Sequence, residues 1–303
     1  MYAIETESLT KRYGRRRGIT DISLQVPEGM LFGFIGPNGA GKTTTIRTLL
    51  GLLRPTSGRA RILGRDAVGE GPAARQGVGY VPGETHFYDE LHVAELLAYF
   101  GRYHPGDHAR RRAELVETFD LDLRARVRDL SLGNRKKVAL VVALQTRPRL
   151  VLLDEPTGGL DPVIQSRLFE LLGDEVRGGT TVFFSSHVLS EVQRVCRTVA
   201  VVNEGRLVAV EDVETLRAHQ LHRVHAAWSE TAPDLSRLVE LPGVDRVERD
   251  GRMVSFVYGG PMPALLEALA AIRPTDVRIE EPSLEEIFLR HYVAGGADDA
   301  PRA

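Results

Sequence analysis

The eight residues Gly36-Pro37-Asn38-Gly39-Ala40-Gly41-Lys42-Thr43 constrain this chain more than any other stretch. They fit G-x-x-x-x-G-K-[ST], and they follow the apolar run Leu31–Ile35 and precede a helical pattern at Thr43–Leu50, which is the context the motif requires. Glycines there let backbone N–H groups close around phosphate oxygens, while the positive end of the following helix faces them. Lys42 is expected to reach the β- and γ-phosphates of a nucleoside triphosphate, and Thr43 to offer its hydroxyl to Mg2+.

The rest of the chain keeps the strand-then-helix rhythm. Short apolar segments rich in β-formers recur at Val78–Val81, Val151–Leu153, Thr181–Phe184 and Val199–Val202. With helical stretches such as Pro162–Arg177 between them, they predict a parallel sheet with crossover helices. From Glu84 to Arg147 the strand signal gives way to heptad-like apolar spacing among Arg and Glu residues, an inserted helical subdomain. A polar helix is expected near Glu211–Gln220. Beyond it, Arg223–Trp228, Val244–Val247, Met253–Tyr258 and Val277–Ile279 read as strands around a helix at Pro263–Ile272, a second, small α/β domain.

Leu150-Val151-Leu152-Leu153-Asp154-Glu155 ends a buried strand in two acids, at the carboxyl end where α/β sheets gather their ligands. Asp154 is expected to hold magnesium. Glu155, one residue on, points elsewhere and can take a proton from an attacking water.

Between these two sites stands Leu130-Ser131-Leu132-Gly133-Asn134-Arg135-Lys136-Lys137, which resembles the signature motif of ABC transporter ATPases. Ser131 is a good N-cap for the helix that runs to about Thr146, so its hydroxyl and the free N–H groups there can face an anion. The resemblance implies that this terminus, with Ser131, Gly133 and Asn134, meets the γ-phosphate held by the opposite subunit. It places Tyr13 where an aromatic stacks on adenine. It makes Gly36, Pro37, Asn38, Gly39, Ala40, Gly41, Lys42, Thr43 and Thr44 the phosphate cradle. Gly159-Leu160-Asp161 resembles the segment coupling two nucleotide sites, and His187, after Ser185-Ser186, the switch histidine that senses γ-phosphate and positions water. The implied fold is an α/β P-loop cassette with an antiparallel β subdomain and a helical subdomain (about 84–147) within residues 1–220. Residues 221–294 then form a small C-terminal α/β domain, and 295–303 a frayed tail.

Two departures stand out. Where the family carries a glutamine after Gly79-Tyr80-Val81-Pro82, this chain has Gly83, and the neighbouring Glu84 is the candidate to supply a carboxylate oxygen to the cation instead. The signature has Leu132 and Asn134 where glycine and glutamine are commonest, and Gly133-Asn134-Arg135-Lys136-Lys137 looks like the drug-resistance and ABC-2 exporter group, favouring export over uptake. Glu281-Pro282-Ser283-Leu284-Glu285-Glu286-Ile287-Phe288-Leu289 resembles the ending of those cassettes, with Ser283 and Glu286 set for a capping box. The C-terminal module reads either as a dimerisation or regulatory domain or as a stabilising appendage.

Composition prunes the alternatives. A net charge of -2, from 39 basic and 41 acidic residues, offers no footprint for nucleic acid. That counts against the competing reading of a non-transport ABC ATPase acting on nucleic acid or ribosomes, and the signature and His187 count against a self-contained nucleotide kinase. Cys196 is the single cysteine, so no intrachain disulfide can form, and it reads as a buried structural thiol. Met1-Tyr2-Ala3-Ile4-Glu5 carries no basic-then-apolar pattern, so no secretion signal is expected. The longest purely apolar run, Val138 to Leu144, falls far short of the roughly 20 residues of a membrane span. The expected protein is an ATP-hydrolysing homodimer using ATP and Mg2+, peripheral at the cytoplasmic face of the cell membrane, that drives a separate integral membrane permease.

Overall fold

The structure, a computed structural model, describes residues 1–14, 16–214, 222–230 and 233–280. It divides into two compact units, Met1–Asp212 and Val213–Ala303.

In the first unit, β1 (Tyr2–Tyr13) and β2 (Arg16–Pro27) pair antiparallel, and β1 also pairs with β4 (Ser57–Ile62), which pairs with β5 (Arg65–Asp66). The sheet order is β2-β1-β4-β5. On β2, Ile22, Leu24 and Val26 are buried while Asp21, Ser23 and Gln25 are exposed, the period-2 alternation of a strand with one face on a core. This is the antiparallel β subdomain.

The second sheet contains β3 (Leu31–Ile35), β6 (Val78–Val81), β7 (Leu150–Asp154), β8 (Thr181–Ser186), β9 (Thr198–Asn203) and β10 (Arg206–Asp212), in the order β10-β9-β3-β8-β7-β6. Only β10 runs antiparallel. Every residue of β3, β7 and β8 is buried, because helices cover both faces of a parallel sheet and demand continuous apolar runs. Helices α1 (Lys42–Leu49), α5 (Pro162–Arg177) and α6 (Leu189–Val195) serve as crossovers. Between β6 and β7 lie α2 (Val93–Gly101), α3 (Ala109–Thr118) and α4 (Leu132–Leu144), the helical subdomain, with α4 packed on β6 and α2.

The register decides where chemistry can occur. Ile35 pairs with Ser186, Asp154 with Ser185, and Val81 with Leu153, so the chain leaves four parallel strands along one edge of the sheet. Ligands of open α/β sheets bind at that edge.

The expected polar helix near Glu211–Gln220 is corrected at its start. Glu211 and Asp212 finish β10, paired to Val199 and Thr198, because the open edge of β9 offers backbone partners that outweigh helix propensity. Residues 215–220 lie outside the described residues, as do the Glu281–Leu289 capping-box motif and the tail from 295.

The second unit contains β11 (His222–Ala227), α7 (Ser236–Val239), β12 (Val244–Asp250), β13 (Met253–Tyr258), α8 (Met262–Ile272) and β14 (Asp276–Glu280). The antiparallel order β12-β13-β11-β14 is that of a β-α-β-β-α-β split fold. Val224, Ala226, Trp228, Phe256, Tyr258 and Leu265 belong to its core, and the indole Nε1 of Trp228 donates to the Ile272 carbonyl at 2.9 Å.

Candidate active site

The site begins where β3 ends. Gly36 admits no side chain, since a Cβ would fall 2.2 Å from the Val202 carbonyl oxygen. Gly39 and Gly41 have φ of 82° and 103°, left-handed values at which a Cβ is strained. No side chain caps α1 at Gly41, which leaves its first N–H groups open to an anion. Lys42 is buried and folds back into the loop. Its Nζ donates to the carbonyls of Gly36 at 2.6 Å and Pro37 at 3.1 Å, and it pairs with Glu155 Oε1 at 3.1 Å.

Above the loop is a cavity of about 220 Å³ lined by Gly18, Asn38, Gly39, Gly41, Lys42, Thr43, Thr44 and Glu155. Gly36, Pro37 and Ala40 are outside this lining; the carbonyls of Gly36 and Pro37 hold Lys42, and that of Ala40 accepts from Gly205. Tyr13 sits beside this rim, because a Cβ on Gly18 would meet its ring at 3.3 Å, and Lys11 Nζ lies 5.5 Å from the ring centroid. One glycine joins the loop to the antiparallel sheet. Gly205 (φ 78°) donates its N–H to the Ala40 carbonyl at 3.0 Å and accepts from Thr20 N–H of β2 at 2.7 Å. A Cβ there would fall 2.2 Å from the Gly18 carbonyl oxygen.

The acid pair ends β7. Asp154 is fully buried; its Oδ1 accepts from Ser185 Oγ at 3.0 Å, and its Oδ2 has no hydrogen-bond partner. Glu155 adopts φ 50°, a left-handed conformation costing of the order of 1–3 kcal/mol for a residue with a Cβ. The turn carries its carboxylate to the cavity instead of back along the strand. There Oε2 accepts from His187 Nδ1 at 2.6 Å while Oε1 meets Lys42. A carboxylate only accepts, so Nδ1 carries the hydrogen of this bond, and Nε2 is left for another partner.

The donor set suits magnesium. The buried Oδ2 of Asp154, without a partner and one residue before the cavity-lining Glu155, and the hydroxyl of Thr43 in that lining are hard oxygen ligands. Among the described residues no three His, Cys, Asp or Glu side chains converge into a metal cage. Magnesium ordinarily keeps waters and takes one or two protein ligands together with substrate phosphates.

The remaining predicted residues sit elsewhere. Ser131 caps α4, its Oγ accepting from Asn134 N–H at 3.2 Å. Gly133 lies so close to the next segment that a Cβ would be 2.3 Å from the Gly159 carbonyl oxygen. Asp161 caps α5, accepting from Val163 and Ile164 N–H at 3.0 Å each. Those bonds, Ile164 first, hold its carboxyl below the usual aspartate range. None of Ser131, Gly133, Asn134 and Asp161 lines the cavity of its own chain. Glu84 does not reach it either. Its side chain is 88% exposed, 3.8 Å from His86 Nε2, because the Pro82–Gly83 turn points its carbonyls inward. These carbonyls accept from the buried Lys136 Nζ at 2.9 and 2.7 Å. Lys136 and Ser185 are the site neighbours that motif reading passes over.

The chain is similar to known proteins along most of its length. The family model for ABC transporter, ABC_tran, matches residues 19–158. The daunorubicin resistance ATP-binding protein DrrA3 of Streptomyces coeruleorubidus is 36% identical over 300 residues, with 95% of each chain covered. A Nod factor export ATP-binding protein I of Cupriavidus pinatubonensis is 34% identical over 292 residues, covering 95% of this chain and 90% of that one. Among solved structures, an ATP-binding subunit of an ABC transporter superposes with a TM-score of 0.67 at 30% identity, covering 71% of this chain and 92% of that one. A dimeric ATP-binding cassette in a post-hydrolysis state with ADP and Pi shares the fold, with a TM-score of 0.63 at 22% identity, covering 69% and 98%.

Proposed function

Since the chain belongs to the ATP-binding subunits of ABC transporters, we propose that it is the motor of an exporter, closing as a homodimer over two ATP molecules to drive a separate integral membrane permease. The observation that carries the catalytic reading is the convergence of Lys42 and His187 on the carboxylate of Glu155, which lines the phosphate-loop cavity.

Lys42 now satisfies its ammonium with loop carbonyls and Glu155. Phosphates entering the cavity offer it stronger partners. Its departure frees Oε1 of Glu155 to take a proton from a water. As that water's oxygen bonds to the γ-phosphorus, the bond to the β–γ bridging oxygen breaks, giving ADP and phosphate. His187 steadies the carboxylate through Nδ1–H and has Nε2 left for the γ-phosphate or the water. Thr43 and Asp154 would hold Mg2+, whose chemistry is to neutralise charge on the phosphate oxygens. Such a reaction asks for positioning and electrostatics more than covalent help.

That Ser131, Gly133, Asn134 and Asp161 lie away from their own chain's cavity supports their use in a second copy's site, in a head-to-tail pair. Among the described residues no helix is long and apolar enough to cross a membrane; a peripheral place on the permease's cytoplasmic side is supported by the likeness to ATP-binding subunits. Export rests on the relatives, named for drug resistance and Nod factor export, and on the signature variant. The test is Glu155→Gln. It should bind ATP with near-normal affinity, hydrolyse it on the order of 10²–10⁴-fold more slowly, and accumulate as a dimer in size-exclusion chromatography with ATP. Wild-type turnover in this variant would remove the base from the mechanism.

A further inference from the structure

Lys136 is 1% exposed, in the second turn of α4, the helix that Ser131 caps. A buried ammonium must be paired, and here the hydrogen-bonding partners are the carbonyls of Pro82 and Gly83, at 2.9 and 2.7 Å. Those two bonds use two of its three N–H donors. Burial pushes its pKa down, and the carboxylates of Asp154 and Glu155 pull it back up. The turn it grips flanks that pair, since a Cβ on Gly83 would lie 3.4 Å from the unpartnered Oδ2 of Asp154. Gly83 is not in the left-handed region, so the backbone does not demand glycine there. Having no side chain, Gly83 can contribute only its backbone groups.

We propose that Lys136 is a positioning residue for ATP hydrolysis, a buried strut that fastens the signature helix to the Pro82–Gly83 turn beside Asp154, so that α4 and the acid pair move as one. Lys136 lies about 7.5 Å along the axis from Ser131, given a rise of ~1.5 Å per residue. A γ-phosphate captured at the Ser131 terminus therefore pulls, through a rigid helix and two charge-assisted hydrogen bonds, on the turn against the metal-facing oxygen. This rests on the reading above, in which Asp154 holds Mg2+ and Glu155 is the base.

The experiment compares full-length wild type, Lys136→Met, Lys136→Gln and Glu155→Gln. Lys136→Met nearly keeps the volume on an unbranched chain one atom shorter but loses charge and donors. Its kcat for ATP should fall about ten- to hundred-fold with KM within about two-fold, a displacement effect. Amide hydrogen exchange at residues 83–85 should quicken in the absence of nucleotide and metal. Lys136→Gln, which keeps two N–H donors on a shorter, uncharged side chain, should fall between, and it carries the same test should Lys136→Met not fold. Adding Gly83→Gln to Lys136→Met supplies a new side chain next to Asp154 and should recover part of kcat. Wild-type kcat and unchanged exchange in a folded Lys136 variant, alongside an inactive Glu155→Gln, overturn the strut while leaving the hydrolysis reading intact. An active Glu155→Gln overturns that reading instead.

Discussion

Replacing Gly133 by alanine tests the contact between the signature turn and the segment after the acid pair. The added Cβ would sit 2.3 Å from the Gly159 carbonyl oxygen, where real Cβ contacts essentially never fall below 3.0 Å. The obstacle is backbone, so no side chain can swing aside. Either α4 or the Gly159 turn must retreat by about 1 Å, and overpacking of this kind costs about 1–3 kcal/mol. For a unit the size of Met1–Asp212, each kcal/mol lowers Tm by roughly 2–4 °C. Differential scanning calorimetry should therefore show the main transition about 2–12 °C lower. The rate should suffer more, because a misplacement of about 1 Å at a reacting site can cost on the order of 10²-fold. Gly39→Ala makes the comparison informative. Its Cβ would meet nothing within 4 Å, so only the φ of 82° penalises it, by about 1–2 kcal/mol. A Gly133→Ala protein that melts and turns over like wild type would refute both the steric reading and the place of this turn in the reaction.

Other consequences are simpler to check. Phe183→Ala removes a fully buried ring 6.0 Å from Phe32 and 5.0 Å from Phe34, and should cost about 3–5 kcal/mol in denaturant unfolding. Cys196 is buried, and burial pushes its thiol pKa far up, so it should resist thiol reagents at pH 8 until denaturant is added; rapid labelling of native protein would contradict the packing. Asp161 has its folded pKa lowered by the α5 N–H groups. Its stabilisation is thus full above the ordinary aspartate value of about 3.9 and is lost as pH falls through the lowered folded value. Asp161→Asn keeps a capping oxygen but cannot titrate, so the Tm gap to wild type should shrink toward acid pH. A gap independent of pH would refute the cap's charge.

Legibility in the sequence followed burial. Leu31–Ile35 and Thr181–Phe184 announced themselves as unbroken apolar runs because both faces of their strands are covered. The long strands β1 and β2 carry a weaker, alternating signal, broken by register shifts in their pairing and by left-handed residues Ser8 and Asp21. Their subdomain follows from the family resemblance and not from periodicity. Glu211 and Asp212 looked helical because their polarity is visible in sequence and the open edge of β9 is not. At the site, strand ends and spacing announced the cradle and the acids. Lys136 was hidden, since its partners lie 53 and 54 residues away and a lysine in a basic run looks like solvated surface. Glu84 failed because adjacency to Gly83 says nothing about direction, and the carbonyls, not the side chain, turn inward.

The hydrogen bonds of Gly205 reach Ala40 on one side and Thr20 on the other, so a single residue rivets β2, the antiparallel partner of the strand that ends at Tyr13, to the phosphate loop. In the proposed reading, contacts to base and to phosphate are thereby coupled through one residue. A lesion at this rivet, such as Gly205→Val, should abolish discrimination and affinity together, as a jaw that loses its pin loses grip on every object alike.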